Sequence, residues 1–399
     1  MKLMKVFLGI TIAVIIGGIM MFDWNELGKS PRENDLTRIK ASANYNPEKG
    51  RFVNRKTQPI SEVKKRNINW KVIKEWFTPG IDRVPANKLP ELKPDLTAFL
   101  EPSKDLKTIW FGHSSFLMNM GGNIILVDPV FSEAASPIKS FVKRFQKPIL
   151  ELEELPEINY ILISHDHYDH LDMKSIKFFM DKDVTFVTPL GVGSHLKKWG
   201  IPENRIIEKD WWQTANFDSI SFTATPAHHF SGRNGLDANA TLWASWVIKN
   251  DDHNVYFSGD SGYDTHFKDI GTKYGPFDVA FIESGQYNEN WQDVHMLPSE
   301  GVQAFKDLKA EKYFPIHWGM FELSLHTWYD PIKQLYQYSK SESFELLAPK
   351  IGQIVNIDYP DTNEIWWEQS TLTALKKEQP AKRCANSDKS HCRLLTKIL

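Results

Sequence analysis

From Ser164 to Asp172 the chain reads SHDHYDHLD, with three histidines and three aspartates between His165 and Asp172. The run before it, INYILIS from Ile158, has the apolar texture of a short buried strand. A loop leaving that strand can aim His165, His167, Asp169 and His170 into one place. Gathering such groups is costly unless a cation sits among them. Neutral imidazole and carboxylate are the donors zinc takes where no thiolate is offered. Four donors on so short a loop cannot all reach one tetrahedral ion without strain. This points to two ions sharing the loop and needing donors from elsewhere.

Three other positions can supply them: His229 in TPAHHF, Asp260 in FSGDSG and His317 in FPIHWG. Each follows an apolar run and lies beside glycine, proline or an aromatic, as the ligands of a sheet-edge site do. Singly, each reads as a satisfied structural group; together they read as the missing half of a metal centre. His113 in GHSS suits either support behind a ligand or a hydrogen bond between strands, and His326 in LSLHTW suits a place in the cleft wall or none. Asp166 and Asp172 flank the motif and suit supporting roles. His195, His253, His266 and His391 lack such context and read as ordinary groups.

The elements that must position these residues begin near Leu106. TIWFGHSSFLMNM, GGN and IILVDPVF read as strand, turn and strand, and MKSIKFFM has helical spacing. VTFVTPL, a helix over Gly193 to Trp199, and SISFTATPAHHF follow. LWASWVIK and NVYFSGDSG form a hairpin joined through NDDHN. A helix over Thr265 to Tyr274, DVAFIES, a helix over Ser299 to Leu308 and KYFPIHWG close the body. No repeat of fixed period is present, yet two strand-rich halves can face each other. The mixture predicts a layered α/β body with polar residues where strands end.

Before that body, residues 23–102 are polar and dotted with proline, reading as a linker and irregular lead-in. Lys2 and Lys5 precede an uncharged run from Val6 to Phe22. This has the form of a signal peptide, a short membrane anchor or a buried helix, and the distant A-x-A site at Ala41 to Ala43 favours the anchor. Either export form places the body on the outer, periplasmic or extracytoplasmic side. Cys384 and Cys392 lie in a polar tail, paired if the chain is exported and free thiols otherwise. The net charge of −2 gives no field to gather nucleic acid, so none is expected as a partner. The 14 Trp and 24 Phe suit a core, and also a surface that meets lipid.

In WFGHSSFLMNMGGNIILVDPVFS, LISHDHYDHLD, TPAHHFSGR, LWASWVI, YFSGDSGYD, HMLPSEGVQAF and PIHWGMF, the chain resembles the metallo-β-lactamase superfamily. Within it the chain is similar to the branch of the N-acylphosphatidylethanolamine-hydrolysing phospholipase D. The segments keep the family order from about Phe52 to Pro331. HxHxDH is common to the superfamily, whereas DPVFS, SGR, LWASW and IHWG point to the branch. The resemblance implies an α/β (α+β) fold, the four-layer αββα sandwich, over residues 103–354; residues 1–22 stand outside it as anchor or signal on their flank and length, and 355–399 as a C-terminal extension.

It further implies two Zn2+ per chain. One would be held by His165, His167 and His229, the other by Asp169, His170 and His317, with Asp260 bridging. The family's ligand position falls on His229 rather than His228. Asp128 in LVDPVF matches a carboxylate that orients a ligand imidazole, and His295 matches a histidine beside the substrate phosphate; its bland reading is a surface residue at a helix start. The implied reaction is attack of a metal-bound hydroxide on a phosphodiester of an N-acylphosphatidylethanolamine-like lipid at a membrane surface. A lactone or ester hydrolase of the same superfamily is the near alternative. An exported zinc-binding scaffold without turnover is the reading from another class.

Overall fold

The apolar runs become two seven-stranded sheets packed face to face in the computed structural model, which describes residues 23–32, 34–56, 70–78, 80, 82–361 and 364–368. A short pair, β1 (Tyr45–Asn46) with β2 (Arg51–Phe52), precedes them. The first sheet takes β3 (Leu106–Trp110), β4 (Phe116–Met120), β5 (Asn123–Val127), β6 (Tyr160–Leu162), β7 (Thr185–Pro189) and β8 (Ile206–Lys209) in chain order, with β16 (Ile354–Asn356) beside β3. The second takes β9 (Thr214–Asn216), β10 (Ser221–Thr225), β11 (Ser245–Lys249), β12 (Asn254–Phe257), β13 (Phe277–Glu283), β14 (Ala310–Ile316) and β15 (Glu345–Leu346) in order. Each sheet is antiparallel in its first half and parallel from β5 or β12 onward. The predicted facing halves are therefore present as two similarly built sheets.

Parallel neighbours need a crossover, and helices supply it everywhere except between β5 and β6, whose long connection carries only the 3₁₀ turn Leu152–Glu154. Met173–Phe178 and Gly193–Lys198 cross the outer face of the first sheet; His266–Lys273, Pro298–Leu308 and Asp330–Glu342 cross that of the second. Strand alternation decides which side chain faces which layer. On β4, Phe116, Met118 and Met120 enter the core between the sheets while Leu117 faces the helices; on β5, Ile125 and Val127 go inward, Ile124 and Leu126 outward. Phe116 stacks on Phe281 of the opposite sheet at 4.3 Å. The order is helix, sheet, sheet, helix, as the resemblance implies.

One strand reading needs correcting. TIWFGHSSFLMNM is two strands, β3 and β4, because Gly112 (φ +92°) and His113 (φ +55°) take left-handed backbone between them. The lead-in is also more than a tether. Ile39, Phe52 and Leu89 lie in the core between the sheets and Phe99 in the outer one, and at the other end Trp366 and Trp367 are buried there too, with Trp366 Nε1 donating to the Ala348 carbonyl. The sandwich thus draws core from both sides of residues 103–354. Phe52→Ala is expected to lower unfolding stability by about 3–5 kcal/mol, read from urea melts, because a wholly buried ring is lost; a loss near zero would return the lead-in to a tether. The apolar segment of residues 1–22 and both cysteines lie outside the described residues. Among the described residues no helix is long and apolar enough to cross a membrane.

Candidate metal centre

The parallel halves place their carboxyl ends at one rim, where ligands of such sheets gather. Asp128 follows β5, His165 to His170 follow β6, Asp260 follows β12, Glu283 ends β13 and His317 follows β14. His229 lies in the loop between β10 and β11. The donor atoms of His165, His167, His229 and Asp260 lie within 4.8 Å of one another, as do those of His113, Asp169, His170 and His317. All seven residues expected as metal donors therefore stand in two adjoining groups, and His113 joins the second.

Asp260 links the groups. Its Oδ2 is 3.1 Å from Nε2 of both His170 and His317, 3.6 Å from His229 Nε2 and 3.8 Å from His165 Nε2. In the first group His167 Nδ1 faces His165 Nε2 at 2.9 Å and His229 Nε2 at 3.2 Å. In the second, Asp169 Oδ2 is 2.9 Å from His113 Nε2, 3.3 Å from His317 Nε2 and 3.4 Å from His170 Nε2.

The electrostatics suit a cation. Burial, reinforced by neighbouring imidazoles, pushes His165 and His229 well below the ordinary imidazole range, which keeps them neutral and able to ligate. Burial alone would raise Asp260, yet the imidazoles of His170 and His317 hold its carboxyl well below the usual range, and His170 and His113 do the same for Asp169. His170 and His317 are driven well above theirs, against their burial, by Asp260 and Asp169. In the bare protein they carry the balancing positive charge, a task a bound cation would take over. Asp260 Oδ1 is buried without a hydrogen-bond partner, and His170 Nε2 has only its ion pairs with Asp260 and Asp169, neither in hydrogen-bond geometry. Orphaned polar atoms of this kind, in a set of imidazoles and carboxylates, fit a divalent metal.

The outer ring of contacts sets each ligand's tautomer. Asp128, fully buried, accepts from His170 Nδ1 at 2.7 Å, from the Ser164 amide at 2.7 Å and from the Ser164 hydroxyl at 2.5 Å. It reaches the donors through His170 and, by way of the Ser164 hydroxyl 2.9 Å from His165 Nδ1, through His165, so its part is positioning. Asp128→Asn is expected to weaken metal binding about 10- to 100-fold, measured by chelator competition, without unfolding the chain. His229 Nδ1 meets the Val294 carbonyl at 3.1 Å. Asp166 accepts from the Gly232 amide and the Thr241 hydroxyl, while Asp172 caps the helix Met173–Phe178 and holds Ser132 and Ser175, so both flanking aspartates support the loop.

His295 lies beside the metal donors, its ring stacked on His317 at 5.0 Å and edge-on to His229 at 5.1 Å. Its Nδ1 is 2.8 Å from Oε2 of Glu283, a residue the sequence reading passed over. Glu283 is completely buried, also accepts from the Met296 amide at 2.6 Å, and lies 3.4 Å from His317 Nδ1. The available signal was an acid closing the apolar strand DVAFIE, the same placement that marked Asp260. His228 belongs to neither donor group; its amide donates to Ser261. His326 stacks on Tyr287 at 4.4 Å, away from both groups. His195, read as ordinary, is buried between the Lys29 amide and Asp166.

A family model for the beta-lactamase superfamily domain matches residues 123–318. An uncharacterized protein of Mycobacterium tuberculosis is 39% identical over 288 residues, covering 71% of this chain and 77% of that protein. The N-acyl-phosphatidylethanolamine-hydrolyzing phospholipase D 1 of Caenorhabditis elegans is 35% identical over 245 residues, covering 57% of this chain and 68% of that protein. Among solved structures, the isothiocyanate hydrolase from Delia radicum gut bacteria superposes with a TM-score of 0.51 at 17% identity over 62% of this chain and 98% of that one, a likeness of fold. Residues 123–318 include all seven expected metal donors, and the chain belongs to the hydrolases of the metallo-β-lactamase superfamily, in the branch of the N-acylphosphatidylethanolamine-hydrolysing phospholipase D.

Proposed function

We propose that the chain is a two-zinc phosphodiesterase of phospholipase D type that acts on N-acylphosphatidylethanolamine-like lipids. The observation that carries this reading is the single carboxylate oxygen, Asp260 Oδ2, facing both donor groups at 3.1 to 3.8 Å. Two zinc ions, when bound, supply a water acidified to react near neutral pH and positive charge against the attacked phosphoryl oxygen. His165, His167 and His229 would hold one ion, and Asp169, His170 and His317 the other, with Asp260 between them. His113 Nε2 meets Asp169 Oδ2, the oxygen that also faces His170 and His317.

Hydrolysis breaks the bond from phosphorus to the headgroup oxygen, and that oxygen must leave as an alcohol. His295 is placed to give it the proton: with Nδ1 engaged by Glu283, the ring keeps Nε2 for the leaving oxygen. Glu283 fixes the orientation of that ring through Nδ1, while bracing His317. The relative's lipid substrate and the apolar residues 6–22 together support a body held at the outer face of a membrane.

The test is a zinc-loaded, purified chain given N-acylphosphatidylethanolamine in mixed vesicles, with products read by mass spectrometry and Asp260→Ala as control. Release of phosphatidic acid and N-acylethanolamine supports the reading. Turnover of lactones without any phosphodiester would replace it with the lactone hydrolase. Metal uptake without turnover of lipid, bis-nitrophenyl phosphate or lactone would leave a zinc-binding scaffold.

A further inference from the structure

We propose that the segment before the sandwich is part of the metal centre, with Asn54 and Arg233 as the positioning residues that tie it to the ligand loops. This rests on the two-metal reading and adds to it a reason why ligand His229 and the loop 165–170 stay in place.

Asn54 grips the backbone of His229 from both sides. Its Nδ2 donates to the His229 carbonyl at 2.7 Å and its Oδ1 accepts from the His229 amide at 3.1 Å. The same Oδ1 accepts from Trp243 Nε1 at 3.2 Å, and that indole also donates to the Ala227 carbonyl, so the amide cannot turn without breaking a buried contact. The residues leading to Asn54 are themselves anchored: the Phe52 amide donates to the Asn239 carbonyl at 2.9 Å and the Phe52 ring is wholly buried. A carboxamide presents one donor and one acceptor side by side, which is what a peptide unit needs from a lateral clamp.

Arg233 does the equivalent for the other loop. Its guanidinium is buried, with Nη1 donating to the carbonyls of Asp166 at 2.6 Å and Leu171 at 2.9 Å, the two residues that bracket the donors His167, Asp169 and His170. Nε and Nη2 donate to the Glu26 carbonyl at 2.9 and 2.8 Å, and the fork lies on the Tyr168 ring at 3.9 Å. The loop is stapled end to end and to the N-terminal segment at once. Close by, the Lys29 amide donates to His195 and Trp199 Nε1 donates to the Asn25 carbonyl. A lysine at position 233 could not span these carbonyls, because its donors radiate from one atom rather than a planar fork.

The two clamps act on different donors, which separates positioning from general stability. Of the metal donors Asn54 touches His229, in the first group; Arg233 holds the loop that feeds both groups. The full chain, stripped of metal, is titrated with zinc against a chromophoric chelator. Asn54→Ala is expected to weaken one of two ions about 10- to 100-fold and leave the other as in the wild type, whereas Arg233→Lys weakens both. Asn54→Asp, which keeps the acceptor and loses the donor, falls between. Arg38→Ala, which removes the same segment's contacts with the carboxylate and carbonyl of Glu208 and none with a metal donor, leaves both affinities unchanged.

In the metal-free chain, amide exchange at His229 quickens in Asn54→Ala while β4 and β13 keep their protection. Equal affinities and equal exchange in Asn54→Ala and the wild type would overturn the proposal and leave the two-metal reading standing. A parallel weakening of both ions by Asn54→Ala, with lost protection across the sheets, would overturn it as well, reducing Asn54 to a fold residue. A wild type that takes up no zinc removes the two-metal reading itself, and this proposal with it.

Discussion

Asp260→Ala is expected to empty at least one metal position and to lower hydrolysis by about a thousandfold or more, equivalent to about 4 kcal/mol of transition-state stabilisation. Asp260 Oδ2 is the one donor atom shared by imidazoles from both groups, His170 and His317 at 3.1 Å and His229 and His165 at 3.6 and 3.8 Å. Removing it leaves His165 and His229 with no carboxylate at the junction and Nε2 of His170 and His317 with Asp169 alone, so positive charge is no longer held between the two groups. Bound metal per chain, measured by plasma mass spectrometry after gel filtration, should fall together with turnover of bis-nitrophenyl phosphate. Asp260→Asn keeps the shape and loses the charge; if charge is what matters, it should lose nearly as much. A variant that kept full metal content and full turnover would remove Asp260 from the centre of the site.

His295→Ala is expected to slow cleavage of an alkyl phosphodiester by about 10²- to 10⁴-fold through kcat, with metal content kept. The loss should depend on the leaving group. An alkoxide needs a proton as the bond to phosphorus breaks, and the ring stacked on His317 with its Nδ1 on Glu283 is placed to deliver it. A nitrophenolate leaves without one, so the same variant should be close to wild type on bis-nitrophenyl phosphate. Glu283→Gln should follow the same pattern with a smaller loss, because the amide holds the His295 ring less firmly than the carboxylate at 2.8 Å from Nδ1 does. Equal losses on both substrates would make His295 a residue of substrate binding or of packing rather than the proton donor.

Much of the site was legible because it is written locally. His165, His167, Asp169 and His170 sit in one loop after an apolar strand, and His229, Asp260 and His317 each follow a strand end that the apolar pattern marks. The helices at Gly193–Lys198, His266–Lys273 and Pro298–Leu308 fall where the sequence spacing puts them. What the pattern missed was set by distance along the chain. His113 reads as the middle of a strand until Gly112 and His113 take positive φ and turn β3 back as β4. That reversal brings the His113 ring to Asp169, 56 residues later. Glu283 carries no motif, and only the alignment of β13 beside β12 and β14 brings it to His295 and His317. Asn54 and His229 are 175 residues apart, and polar composition with many prolines made the segment around Asn54 look like a tether.

The sequence by itself determined the kind of chemistry: imidazoles and carboxylates in loops after buried strands select a hard or borderline divalent cation, and that follows from side-chain type and spacing alone. Its segments, taken in order, also determined the family and the layered sandwich. Only the tertiary structure decided that His113 joins the second donor group, that Glu283 backs His295, and that the segment before the sandwich clamps His229. The physical reason is that parallel strands bring their carboxyl ends together through long crossovers, so neighbours at the rim are set by strand order and register and not by closeness in the chain.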